Sequence, residues 1–290
     1  MARLLILTLS SGEAALPVLT RQLAAQSFQD FEHEVISGLP NQAAHNYLYR
    51  AVMDRAASFD LFMKLDADMT LRSESAIAEA VRATDEHPDA EHFEFRLWDC
   101  FTEEETLGVH MFRSGVTWGE IRDDLFVDQA PKARTLMWEG PPAPFVNHGE
   151  FVSDFECFAF GVHKFLKTAQ RDRTHPKRVK YLRHMRNCAR IRELYRETHA
   201  RRHLLALAGV VWAMEHKSIS SMSNKSELQR VFDAEMLEQE ARWSARVDRI
   251  SRSVIAWRLA LLRSLGPRRA FAAWKGARSR YTAGQFPYGL

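Results

Sequence analysis

The stretch that most constrains this chain is an apolar run of strand length followed at once by two carboxylates. Residues 61–65 are mostly apolar, and Asp66 and Asp68 come directly after them. Such a run favours a buried strand, so the two aspartates lie where the strand leaves the core. Residues i and i+2 project to the same side of an extended backbone. Two carboxylates there are typical of a divalent-cation site with room for phosphate oxygens; the alternative is an Asp-rich turn that caps the strand.

The residues before this strand predict two further strands with helices between them. Residues 4–9 and 31–36 have strand patterns, and residues 14–26 and 41–57 have helical periodicity. Strand–helix–strand order with short connections predicts a parallel sheet covered by helices. Ligands bind beyond the carboxyl ends of the strands in such sheets, which is where the two aspartates lie.

The remainder of the chain divides into four segments of different character. After the aspartates the patterns predict a helix, then an aromatic-rich hairpin, then a proline-rich loop, and finally an almost wholly helical region from about Gly161. The predicted bounds are 73–83 for the helix, with Ser73 as its cap, 93–98 and 108–113 for the hairpin strands, and 123–147 for the loop.

The charge of the chain divides it into an acidic part and a basic part. Residues 1–162 carry 12 Lys and Arg against 27 Asp and Glu, whereas residues 163–290 carry 28 against 10. We therefore predict an acidic α/β domain at 1–162 and a basic helical region at 163–290, each meeting a different partner.

Cysteine usage and hydropathy predict a cytoplasmic protein. The three cysteines have no close spacing typical of a disulfide framework or a zinc site. The first apolar run, which begins at Leu4, is too short for a secretory signal, and residues 204–214 reach about half the length of a membrane span.

The basic C-terminal segment has aromatic residues between its arginines. Residues 250–290 contain Trp257, Trp274 and Tyr281 in this setting. That composition predicts a peripheral contact with an anionic membrane surface on the cytoplasmic side. A nucleic-acid surface, a homodimer interface and an ordinary packed surface helix are the alternatives.

Four elements in fixed order make the first third of the chain resemble family 2 glycosyltransferases, which have the GT-A fold. They are Thr8 at the end of the first strand, Gln-Ser-Phe-Gln-Asp-Phe-Glu at 26–32, Ala-His-Asn at 44–46, and Leu-Asp-Ala-Asp at 65–68. The resemblance implies a GT-A-like three-layer α/β sandwich with a mostly parallel central sheet, here followed by a mainly helical C-terminal region.

The resemblance also implies an activity. Such enzymes move a sugar from a nucleotide-diphospho-sugar to an acceptor hydroxyl with inversion, using Mn²⁺ or Mg²⁺ to neutralise the leaving diphosphate. The acceptor would be a glycan or a lipid-linked glycan. A UDP-sugar is the default donor. The family's acidic pair that contacts the base is replaced by Ile36-Ser37-Gly38, so the identity of the base stays open.

The family's site residues transfer to matching positions. Asp68 would ligate the metal, Asp66 would contact the metal or the ribose, and His148 would supply a further metal ligand, with His163 as a competitor that looks more like a helix cap. The nucleotide pocket would be lined by Thr8, Ser10, Ser37, Asn46 and Asp66.

Inverting transfer needs a carboxylate base to take the proton of the acceptor hydroxyl. The motif Ser-Asp-Phe-Glu at 153–156 precedes the helical region, where the family places its base, so Asp154 is the candidate. Asp99, Asp123 and Asp124 are its rivals.

Two other functions remain open at the sequence level. A nucleotidyltransferase also places an Asp pair at a strand end, but Leu-Ser-Ser-Gly-Glu at 9–13 lacks the basic residues of the loop that such enzymes carry. A non-catalytic protein that binds membrane or RNA through its basic helices would not need Asp66 or Asp68.

Overall fold

The computed structural model describes residues 2–122, 125, 127–140, 143–169, 178–216, 225–253, 256–257, 259–260 and 263, and they divide into two compact units. The sheet unit comprises the described part of Met1–Glu156 and Ser221–Leu228. The helical unit comprises the described part of Cys157–Ser220 and Gln229–Leu290. The chain first passes between the units after Glu156, whereas the predicted division follows residue 162.

The sheet unit begins with three parallel strands and two helices. In chain order they are β1 (Leu4–Ser10), α1 (Leu16–Ala24), β2 (Phe31–Ser37), α2 (Asn41–Asp54) and β3 (Leu61–Asp66). β1 lies between β2 and β3 and pairs in parallel with both. Residues 61–65 are all buried, as the apolar run predicts for a strand covered on both faces.

The rest of the sheet is built around a long hairpin and three short strands. Its elements are β4 (Met69–Leu71), α3 (Ala76–Glu86), β5 (His92–Asp99), β6 (Glu104–Arg113), β7 (Thr135–Met137) and β8 (Val146–His148). The strand order is β2-β1-β3-β6-β5-β8-β4, and β7 also pairs with β5. The pairs β3–β6, β5–β6 and β4–β8 are antiparallel, whereas β5 pairs in parallel with β7 and β8, so the sheet is mixed.

Alternate residues of the strands enter two apolar cores, one for each face of the sheet. This follows from the pleat, which points successive side chains to opposite faces. The first core includes Ile6, Met63 and Met111, and the second includes Leu7, Phe62 and Phe112.

The helical unit is formed by the later helices of the chain. They are α4 (Asp154–Ala169), α5 (Arg178–Thr198), α6 (Arg201–Glu215), α7 (Lys225–Val231), a π-helical turn (Phe232–Leu237) and α8 (Glu240–Arg252), with α4 and α7 each beginning in the sheet unit. Inside the helical unit the Phe158 ring packs against Trp212 and Phe232, at centroid distances of 5.8 and 5.5 Å. The predicted class, α/β followed by a helical region, is confirmed.

Helices α4 and α6 approach each other backbone to backbone at two glycines. A Cβ placed on Gly161 would lie 1.8 Å from the carbonyl oxygen of Ala206. A Cβ placed on Gly209 would lie 2.0 Å from the carbonyl oxygen of Phe158. Only glycine permits helix axes to come this close, so these two positions set the distance between the helices.

The structure corrects two local expectations about helix starts. The N-cap of α3 is Ser75 rather than Ser73. His163 lies in the middle of α4, not at its start. The early start of α4 is explained by a capping box. In it Ser153 Oγ accepts from Glu156 N at 3.2 Å, and Glu156 Oε2 accepts from Ser153 N at 2.6 Å. This exchange satisfies two amide donors at the helix end and starts α4 at Asp154.

Within the described residues, no helix combines the length and the apolar character that crossing a membrane requires. The rival carboxylates Asp123 and Asp124 lie outside the described residues, as does most of 250–290, including Trp274 and Tyr281.

Candidate functional site

Asp68 and His148, eighty positions apart in the chain, meet at the carboxyl end of β3. The antiparallel pairing of β4 with β8 places Met69 opposite His148, and Gly149 N donates to Asp68 O at 2.9 Å. As a result Asp68 Oδ2 lies 3.2 Å from His148 Nε2. Two ligand atoms of one metal ion at right angles stand about 3 Å apart, so this separation suits a shared Mn²⁺ or Mg²⁺.

Asp99 completes a row of three polar side chains. It is the Cα partner of His148 in the β5–β8 pairing, and its Oδ1 lies 3.6 Å from His148 Nδ1. A carboxylate on the far nitrogen of a metal-binding histidine orients the ring and increases its basicity. The role that this position suggests for Asp99 is to orient His148, rather than to act as the base.

The electrostatics of the row favour a cation. Burial alone would lower the pKa of His148, but the carboxylates of Asp68 and Asp99 outweigh burial and raise this pKa to about 10. The same two negative charges that hold a proton on the imidazole would also attract a divalent ion.

Gly149, the residue after His148, adopts a backbone conformation that favours glycine and lies close to an aromatic ring. Its φ of 71° lies in the left-handed region, and a Cβ there would come within 2.5 Å of the Phe101 ring. Any other residue would therefore disturb both the turn after His148 and the aromatic ring beside it.

Asp66 faces a different partner from Asp68. The ammonium group of Lys64 lies 3.2 Å from Asp66 Oδ1 and 2.6 Å from Asp128 Oδ1. The Lys64 side chain is only 4% exposed, so it needs these carboxylates to remain charged. Burial would lower the pKa of Lys64, but Asp128 and Asp66 raise it above its ordinary value. Asp66 is thus shared with a buried lysine, which leaves Asp68 as the stronger candidate for the metal.

Sequence reasoning did not single out Lys64 or Asp128. A signal for Lys64 was present, because a lysine in the middle of a buried strand requires an acidic partner. Asp128 lies in an irregular segment between β6 and β7, and no local pattern distinguishes it from the other loop carboxylates.

The predicted pocket residues of β1 and β2 divide between edge and core. Ser10 and Ser37 are Cα partners at the ends of their strands, and the neighbouring Leu9 pairs with Asp66, so these positions share one edge of the sheet. Thr8 pairs with Leu65 and therefore points to the face opposite Asp66. It is fully buried, and its Oγ1 lies 2.9 Å from His33 Nε2.

A second charged pair lies at the carboxyl end of β1. Lys225 Nζ donates to Glu13 Oε1 at 2.8 Å, while Ser11 N and Ser10 Oγ donate to Glu13 Oε2 at 2.6 and 3.0 Å. Burial would raise the pKa of Glu13, but Lys225 and the Ser11 hydrogen bonds hold it below its usual value. No pattern in the sequence indicates that Lys225 would lie here.

Asn46 has a structural partner in the sheet unit. Its Nδ2 donates to Ile121 O at 3.0 Å, and its Oδ1 accepts from Ile121 N at 2.9 Å. Both polar atoms of the amide therefore fasten the segment after β6 to α2.

Replacing Asn46 by alanine is expected to reduce the free energy of unfolding by about 1–3 kcal/mol, because the two backbone groups of Ile121 lose their partner. Urea denaturation of Asn46→Ala measures this. Asp85→Ala, which removes an exposed polar side chain of the same unit, is the control. A variant as stable as the wild type would show that Asn46 does not hold this segment.

Asp154 is the first residue of α4 and is partly buried. Its neighbour Glu156 is committed to the capping box and to Ala14 N, which it accepts at 3.1 Å. Glu156 therefore has a structural role in the Ser-Asp-Phe-Glu motif, and the role of Asp154 as the base stays a prediction.

Comparisons with known proteins add little to this geometry. No family model matches the chain, and no curated protein matches it. Among solved structures the chain is similar to the crystal structure of A197 from STIV, at 13% identity and a TM-score of 0.35, over 47% of this chain and 81% of that one. A similarity of this size supports no conclusion about activity, so the functional argument depends on the residues of the chain itself.

Proposed function

We propose that this protein is a metal-dependent glycosyltransferase with a GT-A-like sheet unit, which uses a nucleotide-diphospho-sugar as donor. The observation that carries the proposal is the convergence of Asp68 and His148, 3.2 Å apart, at the carboxyl end of β3, with Asp99 behind the histidine. An ordinary Asp-rich strand cap gives no reason for a partly buried histidine to join it from β8.

The surrounding edge of the sheet supports a nucleotide donor. The carboxyl ends of the parallel strands β1, β2 and β3 lie side by side, which is where open α/β sheets bind ligands. Ser10 and Ser37 offer hydroxyl groups at that edge, and Lys64 keeps Asp66 in place beside it.

The proposed residues divide the reaction between them. Asp68 and His148 would hold Mn²⁺ or Mg²⁺, and the ion would neutralise the charge that grows on the nucleoside diphosphate as the glycosidic bond breaks. Asp99 orients His148. Asp154 takes the proton of the acceptor hydroxyl as its oxygen attacks the anomeric carbon, and the diphosphate leaves with the bonding electrons. The acceptor belongs to the glycan or lipid-linked glycan class, and the donor default is a UDP-sugar.

The test is thermal unfolding with nucleoside diphosphates, with and without Mn²⁺. A ligand that binds only the folded protein stabilises it by about 2.7 kcal/mol at a concentration one hundred times its dissociation constant. We expect at least one nucleoside diphosphate to raise the melting temperature only when Mn²⁺ is present, and we expect this increase to disappear in Asp68→Ala.

Asp85→Ala is the matched control, because Asp85 is an exposed aspartate on α3 and its loss should leave the increase unchanged. If no nucleoside diphosphate raises the melting temperature with Mn²⁺, or if Asp68→Ala responds as the wild type does, the proposed function is wrong.

A further inference from the structure

A second group of potential metal ligands lies on the hairpin β5–β6. His92, Glu94 and His110 each offer one ligand atom, and these atoms all lie within 4.8 Å of one another. His92 and Glu94 are two residues apart on β5, so they share a face, and His110 on β6 is the Cα partner of Glu94. The register of the hairpin, not a flexible loop, therefore holds the three side chains together.

We propose that His92, Glu94 and His110 form a zinc site separate from the site at Asp68. Two histidines and one glutamate, with a fourth position open to water, are a donor set that Zn²⁺ uses in proteins. This inference stands independently of the proposed glycosyl transfer.

The distances suit tetrahedral zinc. At Zn–N and Zn–O bonds of about 2.1 Å, two ligand atoms stand about 3.4 Å apart. His92 Nε2 lies 3.0 Å from His110 Nδ1, and His110 Nδ1 lies 3.9 Å from Glu94 Oε1. These two values lie on either side of the required spacing, so small side-chain rotations bring the atoms to it.

The partners of the histidines prepare them for a metal. His92 Nδ1 lies 3.0 Å from Thr135 Oγ1, and a ring that donates its Nδ1 proton there directs the Nε2 lone pair towards the cluster.

The walls of the cluster are rigid and apolar. Phe112 stacks on His92 and on His110, at centroid distances of 5.0 and 6.1 Å, and meets Trp118 edge to face at 4.9 Å. Rigid walls of this kind restrict the rotation of both imidazoles and so reduce the entropy lost on binding.

One positive charge lies near the cluster. Lys64 on β3 is the Cα partner of His110, on the side away from Glu94. Its charge is already balanced by Asp66 and Asp128 within 3.3 Å, so Glu94 supplies the negative charge that Zn²⁺ needs.

The proposal is tested by titrating metal-free protein with Zn²⁺ against a chromophoric chelator, and with Co²⁺, whose visible absorption reveals tetrahedral coordination. We expect one Zn²⁺ per chain in the wild type and in Asp68→Asn. Glu94→Gln preserves side-chain volume, and we expect it to weaken Zn²⁺ binding at least tenfold and to abolish the tetrahedral Co²⁺ spectrum.

Glu105→Gln is the matched control, since it makes the same change on β6 outside the cluster and should bind as the wild type does. His110→Gln is a second test, and the melting temperature of each metal-free variant confirms that it is folded. The proposal is overturned if Glu94→Gln binds Zn²⁺ as tightly as Glu105→Gln, or if Asp68→Asn alone removes the bound Zn²⁺. That second result would leave the Asp68 site, and with it the proposed glycosyl transfer, intact.

Discussion

Replacing Gly161 by alanine is expected to destabilise the helical unit by about 3 kcal/mol or more. Alanine in a helix interior normally stabilises by about 1 kcal/mol relative to glycine, so the expected sign is the reverse of what propensity predicts. The cause is the Ala206 carbonyl oxygen, 1.8 Å from where the new Cβ would lie. Because the obstacle is backbone, shortening a neighbouring side chain cannot relieve the clash, and α4 and α6 must move apart.

Chemical denaturation followed by tryptophan fluorescence measures this effect, since Trp212 of α6 packs against Phe158 of α4. Gly209→Ala is expected to behave alike, because its Cβ would meet the Phe158 carbonyl oxygen at 2.0 Å. Gly119→Ala is the control, with no atom within 4 Å of its Cβ. A Gly161→Ala protein as stable as the control would show that the two helices are not held at this distance.

Lys64→Met is expected to reduce the free energy of unfolding in EDTA by about 3 kcal/mol. Methionine keeps most of the volume of the lysine but removes the cation between Asp66 and Asp128. Breaking a buried ion pair costs about 3–5 kcal/mol because the remaining charge is left without compensation. The low end applies here, since the two carboxylate side chains are 35% and 48% exposed.

We expect Mn²⁺ to recover more stability in Lys64→Met than in the wild type, because a divalent ion can replace the missing positive charge beside Asp66. Urea denaturation in EDTA and in Mn²⁺ measures both effects. Lys132→Met removes an exposed lysine of the same unit and serves as the control. Equal stability of Lys64→Met and Lys132→Met in EDTA would contradict the role assigned to Lys64.

The first three strands and the two helices between them follow from local patterns. β1, β2 and β3 end within one residue of their predicted bounds, because continuous apolar runs bounded by turn residues leave little choice. The helix predicted at 41–57 ends at Asp54 instead, which reflects how weakly a sequence marks a helix end without a capping glycine.

The strands that complete the candidate site follow from no local pattern. β4 and β8 have three residues each, which is too few to show a period of two in the sequence. Their strand conformation depends on their pairing with each other. Their pairing is what brings His148 to Asp68. For the same reason the approach of Asp99 to His148 could not be derived from sequence, since it depends on the register between β5 and β8.

Ser153-Asp154-Phe155-Glu156 shows how one motif carries two signals. The spacing of Ser153 and Glu156 is that of a capping box, and the structure uses it to start α4. The motif has two acidic residues, and the presence of one of them, Glu156, is explained by helix capping.

The register of β3, β6 and β5 has a thermodynamic consequence. Lys64, His110 and Glu94 are consecutive Cα partners across the three strands, so they project from one face in an unbroken row, and Asp66 follows Lys64 on that face. A Zn²⁺ ion at the proposed hairpin site would therefore change the potential at Asp66, beside the proposed Mn²⁺ site, through these side chains. The resulting coupling free energy would be reciprocal, so whatever factor Zn²⁺ imposed on Mn²⁺ affinity, Mn²⁺ would impose on Zn²⁺ affinity.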